Sequence, residues 1–152
     1  MRTVIQRVTS ANVTVNNQKI SSISQGLVVL IGISKDDTSM DADNLVKTIT
    51  KLKIFDELKD GEQKRWSQTI KDIQGEILCV SQFTLQAKLK KSKPDFHTAA
   101  KGPEAKILYT EILDKFRKIL GEDKIKDGIF GAMMEVHLVN DGPVTINYDT
   151  RI

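Results

Sequence analysis

Apolar and polar positions alternate from the start of the chain, with Val4, Gln6 and Val8 opposite Thr3, Ile5 and Arg7. A period of two is that of a β-strand. Ala11 to Val15 continues it and meets Asn16-Asn17, a turn-forming pair. Gln18 to Ile23 then returns, which predicts a hairpin. Leu27 to Ile33 is a short apolar run rich in β-branched residues and bounded by Gly26 and Ser34, the mark of a buried strand. Thr38-Ser39-Met40-Asp41 reads as a capping box, and Leu45, Val46, Ile49 and Leu52 form one face of a helix behind it. Ile54-Phe55 leaves that helix for a polar stretch, Asp56 to Lys64, carrying the turn pair Asp60-Gly61. Glu76 to Leu85 reads as a second buried strand.

A basic segment with Lys88, Lys90, Lys91 and Lys93 reads as an exposed loop ended by Pro94. Pro103 suits the first turn of a long helix whose apolar face includes Leu108, Ile112, Phe116 and Ile119, with Gly121 as its stop. The last third returns to strands, Ala132 to Val139 and Val144 to Tyr148, joined by a turn at Asn140-Asp141-Gly142-Pro143. The order is roughly ββββ-α-ββ-α-ββ. It predicts one α/β or α+β domain over residues 1–152, with mostly antiparallel pairing because hairpins dominate.

Composition narrows the class. A chain of 152 residues, 39% hydrophobic and 28% charged, is long enough for one packed core without metal or disulfide support. The lone Cys79 excludes an internal disulfide framework. Arg7 interrupts the apolar start too early for a signal peptide, and no run approaches the ~18 apolar residues of a membrane span. Without a secretory signal, the sequon Asn12-Val13-Thr14 has no glycosylation to explain. A soluble cytoplasmic protein is the expectation. The net charge of +3 permits a nucleic-acid partner without demanding one.

Few residues offer chemistry. There is no dinucleotide fingerprint, P-loop or His-Glu-x-x-His, and one Cys with two His is a poor supply of zinc ligands. His137 lies within a predicted strand and His97 follows Pro94-Asp95-Phe96. In Ser81-Gln82-Phe83-Thr84 polar groups begin abruptly where an apolar strand ends. Strand alternation puts Gln82 and Thr84 on one face, Ser81 and Phe83 on the other. They either line a site or satisfy a bend. Gly142-Pro143 is either an ordinary hairpin turn or, in the cis form, a pair of carbonyls side by side. The four lysines have no acidic neighbour from Gln86 to Pro94, so they are a solvated loop or a phosphate contact. Phe130-Gly131-Ala132-Met133-Met134 is core packing or part of a nucleoside pocket.

Ser81-Gln82-Phe83-Thr84-Leu85 and Asn140-Asp141-Gly142-Pro143-Val144-Thr145 together resemble the D-aminoacyl-tRNA deacylase family. Val4 to Val8, Lys93 to His97, and Lys126-Asp127-Gly128 leading to Phe130-Gly131 are similar to it in the same order, so the resemblance spans nearly the whole chain. One departure is Lys91-Ser92, where many relatives carry a glycine shortly before the basic residue and proline. It bears on the shape of that loop.

The resemblance implies a barrel-like sheet with two main helices. It implies hydrolysis of the ester between a D-amino acid and tRNA, a proofreading step in translation. Glycine mischarged on the tRNA for alanine is also removed, and L-aminoacyl-tRNA is spared. It implies a homodimer with active sites at the subunit interface, the Gly-Pro of one subunit in cis reaching the other's pocket. Gly142 and Pro143 would then filter chirality through their carbonyls, with Arg7 holding their loop. Ser81, Gln82, Phe83 and Thr84 would line the ester, and Phe130, Gly131 and Met134 the adenosine. Lys88, Lys90, Lys91 and Lys93 would contact tRNA. No cofactor or metal is implied. Thr84 is a nucleophile by type, but no His or Lys stands beside it in sequence, so positioning is the role expected. The competing classes are a nucleic-acid-binding module without catalysis and a structural dimer.

Overall fold

The computed structural model describes residues 1–152. In chain order the elements are β1 (Arg2–Val15), β2 (Gln18–Ile23), β3 (Gly26–Gly32), α1 (Ser39–Lys51), β4 (Phe55–Lys59), β5 (Glu62–Gln68), β6 (Glu76–Ser81), β7 (Lys88–Lys90), β8 (Lys93–Asp95), α2 (Gly102–Leu120), β9 (Ile125–Asp127) and β10 (Glu135–Asp149). A 3-10 turn covers Phe83–Gln86 and another Glu122–Lys124. No helix is long and apolar enough to cross a membrane.

The main sheet runs β10-β1-β3-β6-β9, with β2 pairing the far half of β1. β1 turns at Asn16 and Asn17, both at positive φ, and returns as β2. The left-handed pair matches the right-handed twist of the two strands. Pairing of β1 with β10, β2 and β3 is antiparallel, as hairpin signals predict. β3–β6 and β6–β9 are parallel, so the sheet is mixed. Parallel neighbours need long crossovers, and α1 with the β4–β5 hairpin supplies one, α2 the other. Ser21 of β2 donates through Oγ to the Asp127 carbonyl of β9 at 2.7 Å. That contact brings the two ends of the sheet together into a nearly closed barrel.

Both faces of β3 and β6 are buried, which is why they read as unbroken apolar runs. Ile5, Leu27, Val29, Ile31, Ile77 and Cys79 face the helices and meet Leu45 and Ile49 of α1 and Tyr109, Ile112 and Phe116 of α2. Val8, Val13, Ile23, Val28, Leu78 and Val80 fill the inside of the barrel. α1 starts where expected, with the Asp41 carboxylate accepting the Thr38 N–H at 2.9 Å. α2 has Pro103 in its first turn and ends at Gly121, φ +110°.

Four expectations need correction. The polar stretch after Phe55 is the β4–β5 hairpin turning on Asp60-Gly61, both at positive φ. It is mostly exposed, so no alternation marks it. The basic loop is a small β7–β8 hairpin with Lys91 at φ +55°. The strand expected to reach Leu85 ends at Ser81. The hairpin expected at Asn140 to Pro143 is a bulge inside one strand, since β10 is antiparallel to β1 on both sides of it. Gln6 faces Thr145 and Val8 faces Asn140, so β1 advances two residues while β10 advances five. The surplus residues are turn formers because they loop out, not because the chain reverses.

Gly26 sets how closely β3 and β6 approach. A Cβ there would overlap the Glu76 carbonyl oxygen, a backbone atom that cannot step aside. Gly26→Ala is therefore expected to cost more than about 3 kcal/mol or to abolish folding. Urea denaturation checks it, and a change within about 0.5 kcal/mol would refute the constraint.

Candidate active site

At the end of β6 the Gln82 N–H still donates to the Ile31 carbonyl at 2.8 Å. Beyond it the chain tightens, with Leu85 N–H donating to the Gln82 carbonyl and Ala87 N–H to that of Thr84. Gly32 makes room for this turn: a Cβ there would meet Leu85 Cβ at 2.7 Å and the Gln82 carbonyl at 2.9 Å. Gln86 is buried and donates through Nε2 to the Gly32 carbonyl at 2.7 Å. Arg2 Nη1 donates to the Leu85 carbonyl at 3.2 Å. The turn is thus held to the sheet from three sides. Its first N–H groups, those of Phe83 and Thr84, have no acceptor within a 3-10 turn.

The alternation expected for Ser81 to Thr84 therefore lapses after Ser81. Gln82 and Thr84 do come together, but through a hydrogen bond from Gln82 Nε2 to Thr84 Oγ1. An amide donor on a hydroxyl oxygen withdraws electron density, the reverse of what a general base does. Neither His97 nor His137 hydrogen-bonds to the segment: His97 contacts Asp95, and His137 contacts Glu135 at 3.4 Å. The hydrogen bond to His97 holds the Asp95 carboxyl below its usual range. Cys79 is fully buried, and burial pushes its thiol pKa far up, so it is no nucleophile. No group of three His, Cys, Asp or Glu side chains is placed to hold a metal ion.

Phe83 is 55% exposed and packs edge-on against Phe96, ring centres 5.1 Å apart. This contact seats the β7–β8 hairpin beside the turn. Lys88, Lys90, Lys91 and Lys93 are all exposed there and form no ion pair. β9 leaves the sheet at Asp127 beside Cys79, and Phe130 packs against Tyr109 at 5.7 Å. Tyr109 in turn donates its hydroxyl to the Cys79 carbonyl at 3.0 Å. Phe130 and Gly131 (φ +77°) thus stand at the same end of the sheet as Ser81. Met134 reaches instead toward the inside of the barrel, where its Sδ fills the space that a Cβ on Gly128 would need.

The bulge of β10 is elsewhere. Its Gly142-Pro143 bond is cis, with Gly142 at φ +125°. Arg7 holds it: Nε donates to the Asp141 carbonyl at 3.1 Å and faces the Asp141 carboxylate at 3.4 Å, while Nη1 donates to the Ile54 carbonyl at 2.6 Å. Gly142 and Pro143 themselves are exposed. Arg2 pairs with Gly32 at the turn, and Arg7 pairs with Leu27, five residues along β1. At about 3.3 Å per residue the two motifs are about 16 Å apart along the strand. One chain gathers Ser81 to Thr84, the lysine hairpin and Phe130 at one end, and Arg7, Gly142 and Pro143 at the other.

Gln86, Gly32, Arg2 and Phe96 shape the turn and were not singled out in sequence. Gln86 is one polar residue after Leu85 in the sequence, and no periodic pattern marks it as buried.

A family model described as D-Tyr-tRNA(Tyr) deacylase matches residues 4–149. The chain is 56% identical to the D-aminoacyl-tRNA deacylase of Yarrowia lipolytica, covering 99% of this chain and 98% of that protein. It is 48% identical to D-aminoacyl-tRNA deacylase 1 of Homo sapiens, covering 99% of this chain and 70% of the human protein. A solved structure named c-Myc DNA Unwinding Element Binding Protein superposes with a TM-score of 0.92 at 48% identity, over 98% of each chain. A solved probable eukaryotic D-amino acid tRNA deacylase superposes with a TM-score of 0.85 at 19% identity, over 97% of each chain, a likeness of fold.

Proposed function

The chain belongs to the D-aminoacyl-tRNA deacylase family and hydrolyses the ester of D-aminoacyl-tRNA, and from that premise we propose how its two separated motifs perform the reaction. The observation that carries the proposal is their separation along β1. One chain cannot close both motifs on one ester. Two copies related by a twofold axis can, with the exposed bulge of each laid against the turn of the other.

In that homodimer the ester carbonyl points at the N–H groups of Phe83 and Thr84. A water oxygen bonds to the carbonyl carbon, and negative charge gathers on the carbonyl oxygen where those donors face it. The carbon–oxygen bond to the ribose then breaks. The ribose oxygen leaves with a proton, giving free D-amino acid and tRNA. The ester is activated enough to need no covalent intermediate, and Thr84, held by Gln82, positions the substrate. Ser81 and Gln82 line the same end, while Phe130 and Gly131 bound the adenosine and Met134, turned into the barrel, supports Gly128 behind them. Lys88, Lys90, Lys91 and Lys93 hold the phosphates near it without reading their sequence.

The carbonyls of the second copy's Gly142 and Pro143 accept the substrate's α-ammonium. With the ammonium and the ester both fixed, an L side chain points into the bulge and clashes, while a D side chain points away. Glycine has no side chain to exclude, so glycyl-tRNA enters as well. The work belongs where aminoacyl-tRNA is used, in the cytoplasm, as quality control of translation. A second reading, DNA binding without turnover, draws on the name of one structural neighbour. Multiple turnover of D-tyrosyl-tRNA with L-tyrosyl-tRNA left intact separates the two, and comparable rates on both would overturn the chiral filter.

Backbone catalysis has a direct test. Phe83→Pro removes the N–H at the first position of the 3-10 turn, where the turn itself offers it no acceptor, while Phe83→Ala removes only the ring. Phe83→Pro is expected to slow single-turnover hydrolysis about 10²–10³-fold relative to Phe83→Ala. Thr84→Ala is expected to retain measurable hydrolysis, and an acyl-enzyme trapped on Thr84 would refute the positioning role.

The shared site can be tested by mixing. A Cβ on Gly142 would lie 3.0 Å from Val144 Cγ2 and 3.3 Å from Arg7 Nη2 at a φ that side chains avoid, so Gly142→Ala disturbs the bulge alone. Gly142→Ala and Phe83→Pro chains, each inactive alone, are expected to regain about a quarter of the wild-type sites when refolded together at random. No recovery, with mixed dimers shown to form, would mean that each site is built within one chain.

A further inference from the structure

Five lysines that the site does not use lie together on the helical side of the molecule. Lys47, Lys51, Lys71 and Lys118 line a concavity of about 510 Å³ between α1 and α2. Lys47 and Lys51 also border a second concavity that contains Lys53. All five are exposed, and none forms an ion pair, whereas Lys115 in the same groove is taken by Asp43 at 2.6 Å and Glu111 at 3.4 Å. Asp72, which accepts the Thr69 N–H at 2.9 Å, feels the charges of Lys53 and Lys71 without pairing with either, so these two are partly offset. The whole chain has a net charge of only +3. The five lysines outnumber the carboxylates beside them, Asp43 and Asp72, so the strip is a local concentration of positive charge. Such a track attracts a polyanion with regular charge spacing.

Its place in the fold says which polyanion and from where. Lys53 immediately precedes Ile54, whose carbonyl is held by Arg7, and Arg7 also holds Asp141 next to Gly142. The strip therefore begins at the bulge and runs back along α1. Lys53 marks its bulge end, and Tyr148, which pairs with Thr3, borders the same concavity as Lys47 and Lys51, so the strip runs from the bulge toward the Arg2 end of β1.

We propose that this strip is a phosphate track for the body of the substrate tRNA, serving the tRNA whose 3′ end occupies the other copy's site. The inference rests on the shared-site reading above. In the dimer the bulge of one copy abuts the ester site of the other, and the strip continues outward from that junction. The tRNA is gripped near its 3′ end by the β7–β8 lysines of the chain that holds the ester, and farther along by this strip of the second chain.

The test replaces all five lysines with glutamine in the full-length protein and compares two substrates, D-tyrosyl-tRNA and D-tyrosine esterified to adenosine alone. The expected result is an unchanged rate on the adenosine ester and a KM for D-tyrosyl-tRNA raised about tenfold or more, with the salt dependence of tRNA affinity flattened by about 0.7–0.9 for every phosphate no longer neutralised. Equal KM and coincident salt slopes would overturn the proposal. So would loss of binding to anionic vesicles with tRNA affinity unchanged, which would make the strip a membrane surface. If wild type cleaves neither substrate, the deacylase reading fails by itself, and the tRNA salt slopes still decide the strip. Mixed dimers decide its sidedness: Phe83→Pro chains with an intact strip, paired with glutamine-strip chains, are expected to show the low wild-type KM. A high KM there would place the strip on the same chain as the ester it serves.

Discussion

The edges of β1 are fully used: one pairs with β10 along nearly its whole length, the other with β3 and then with β2. A strand with three partners has no freedom to slip, because a one-residue shift would move every buried side chain of all three to the wrong face. That register puts Arg2 under the Phe83 turn and Arg7 under the Gly142 bulge. The irregularities at Gln6–Val8 and Val8–Ser10 let the same strand leave the helix-covered face and enter the barrel. The two motifs inherit their spacing from this one strand.

The proposed site relies largely on main-chain atoms, and the packing beneath it explains how they are held. Gly32 admits the turn and the buried Gln86 pins it, so the Phe83–Gln86 turn rests on a fixed support. Arg7 ties the bulge to Ile54 as well as to Asp141, which couples it to the end of α1. Preorganised dipoles of this kind need no charged catalytic side chain, and the two histidines remain occupied with neighbouring carboxylates.

Much of this was legible in sequence, and the rest was not for identifiable reasons. β1–β3, α1 and α2 followed from period and caps, because each buries an apolar face against a core. The β4–β5 hairpin was missed because exposed strands carry no apolar period. The parallel pairs were missed because hairpin signals describe neighbours in sequence, whereas β3 meets β6 across α1. At Ser81 the strand pattern continued on paper while Gly32, about fifty residues earlier, turned the chain aside. At Gly142 the composition of a turn was read correctly and its direction was not, since a bulge and a reversal use the same residues. Motif resemblance identified the candidate residues and implied that they act from different subunits; the register along β1 gives their separation within one chain.

The proposed divided site would make the enzyme's output depend on abundance in an unusual way. If each ester is enclosed by the turn of one chain and the bulge of another, free chains contribute nothing. Where dimers are scarce, activity then rises with the square of the number of chains rather than in proportion to it. Halving expression would remove about three-quarters of the activity under those conditions and little when dimers are saturated. A chain with a damaged bulge but a sound interface would also take a partner out of full service. In such a dimer the exposed bulge of β10 would carry a genetic consequence, sensitivity to dosage and to dominant variants.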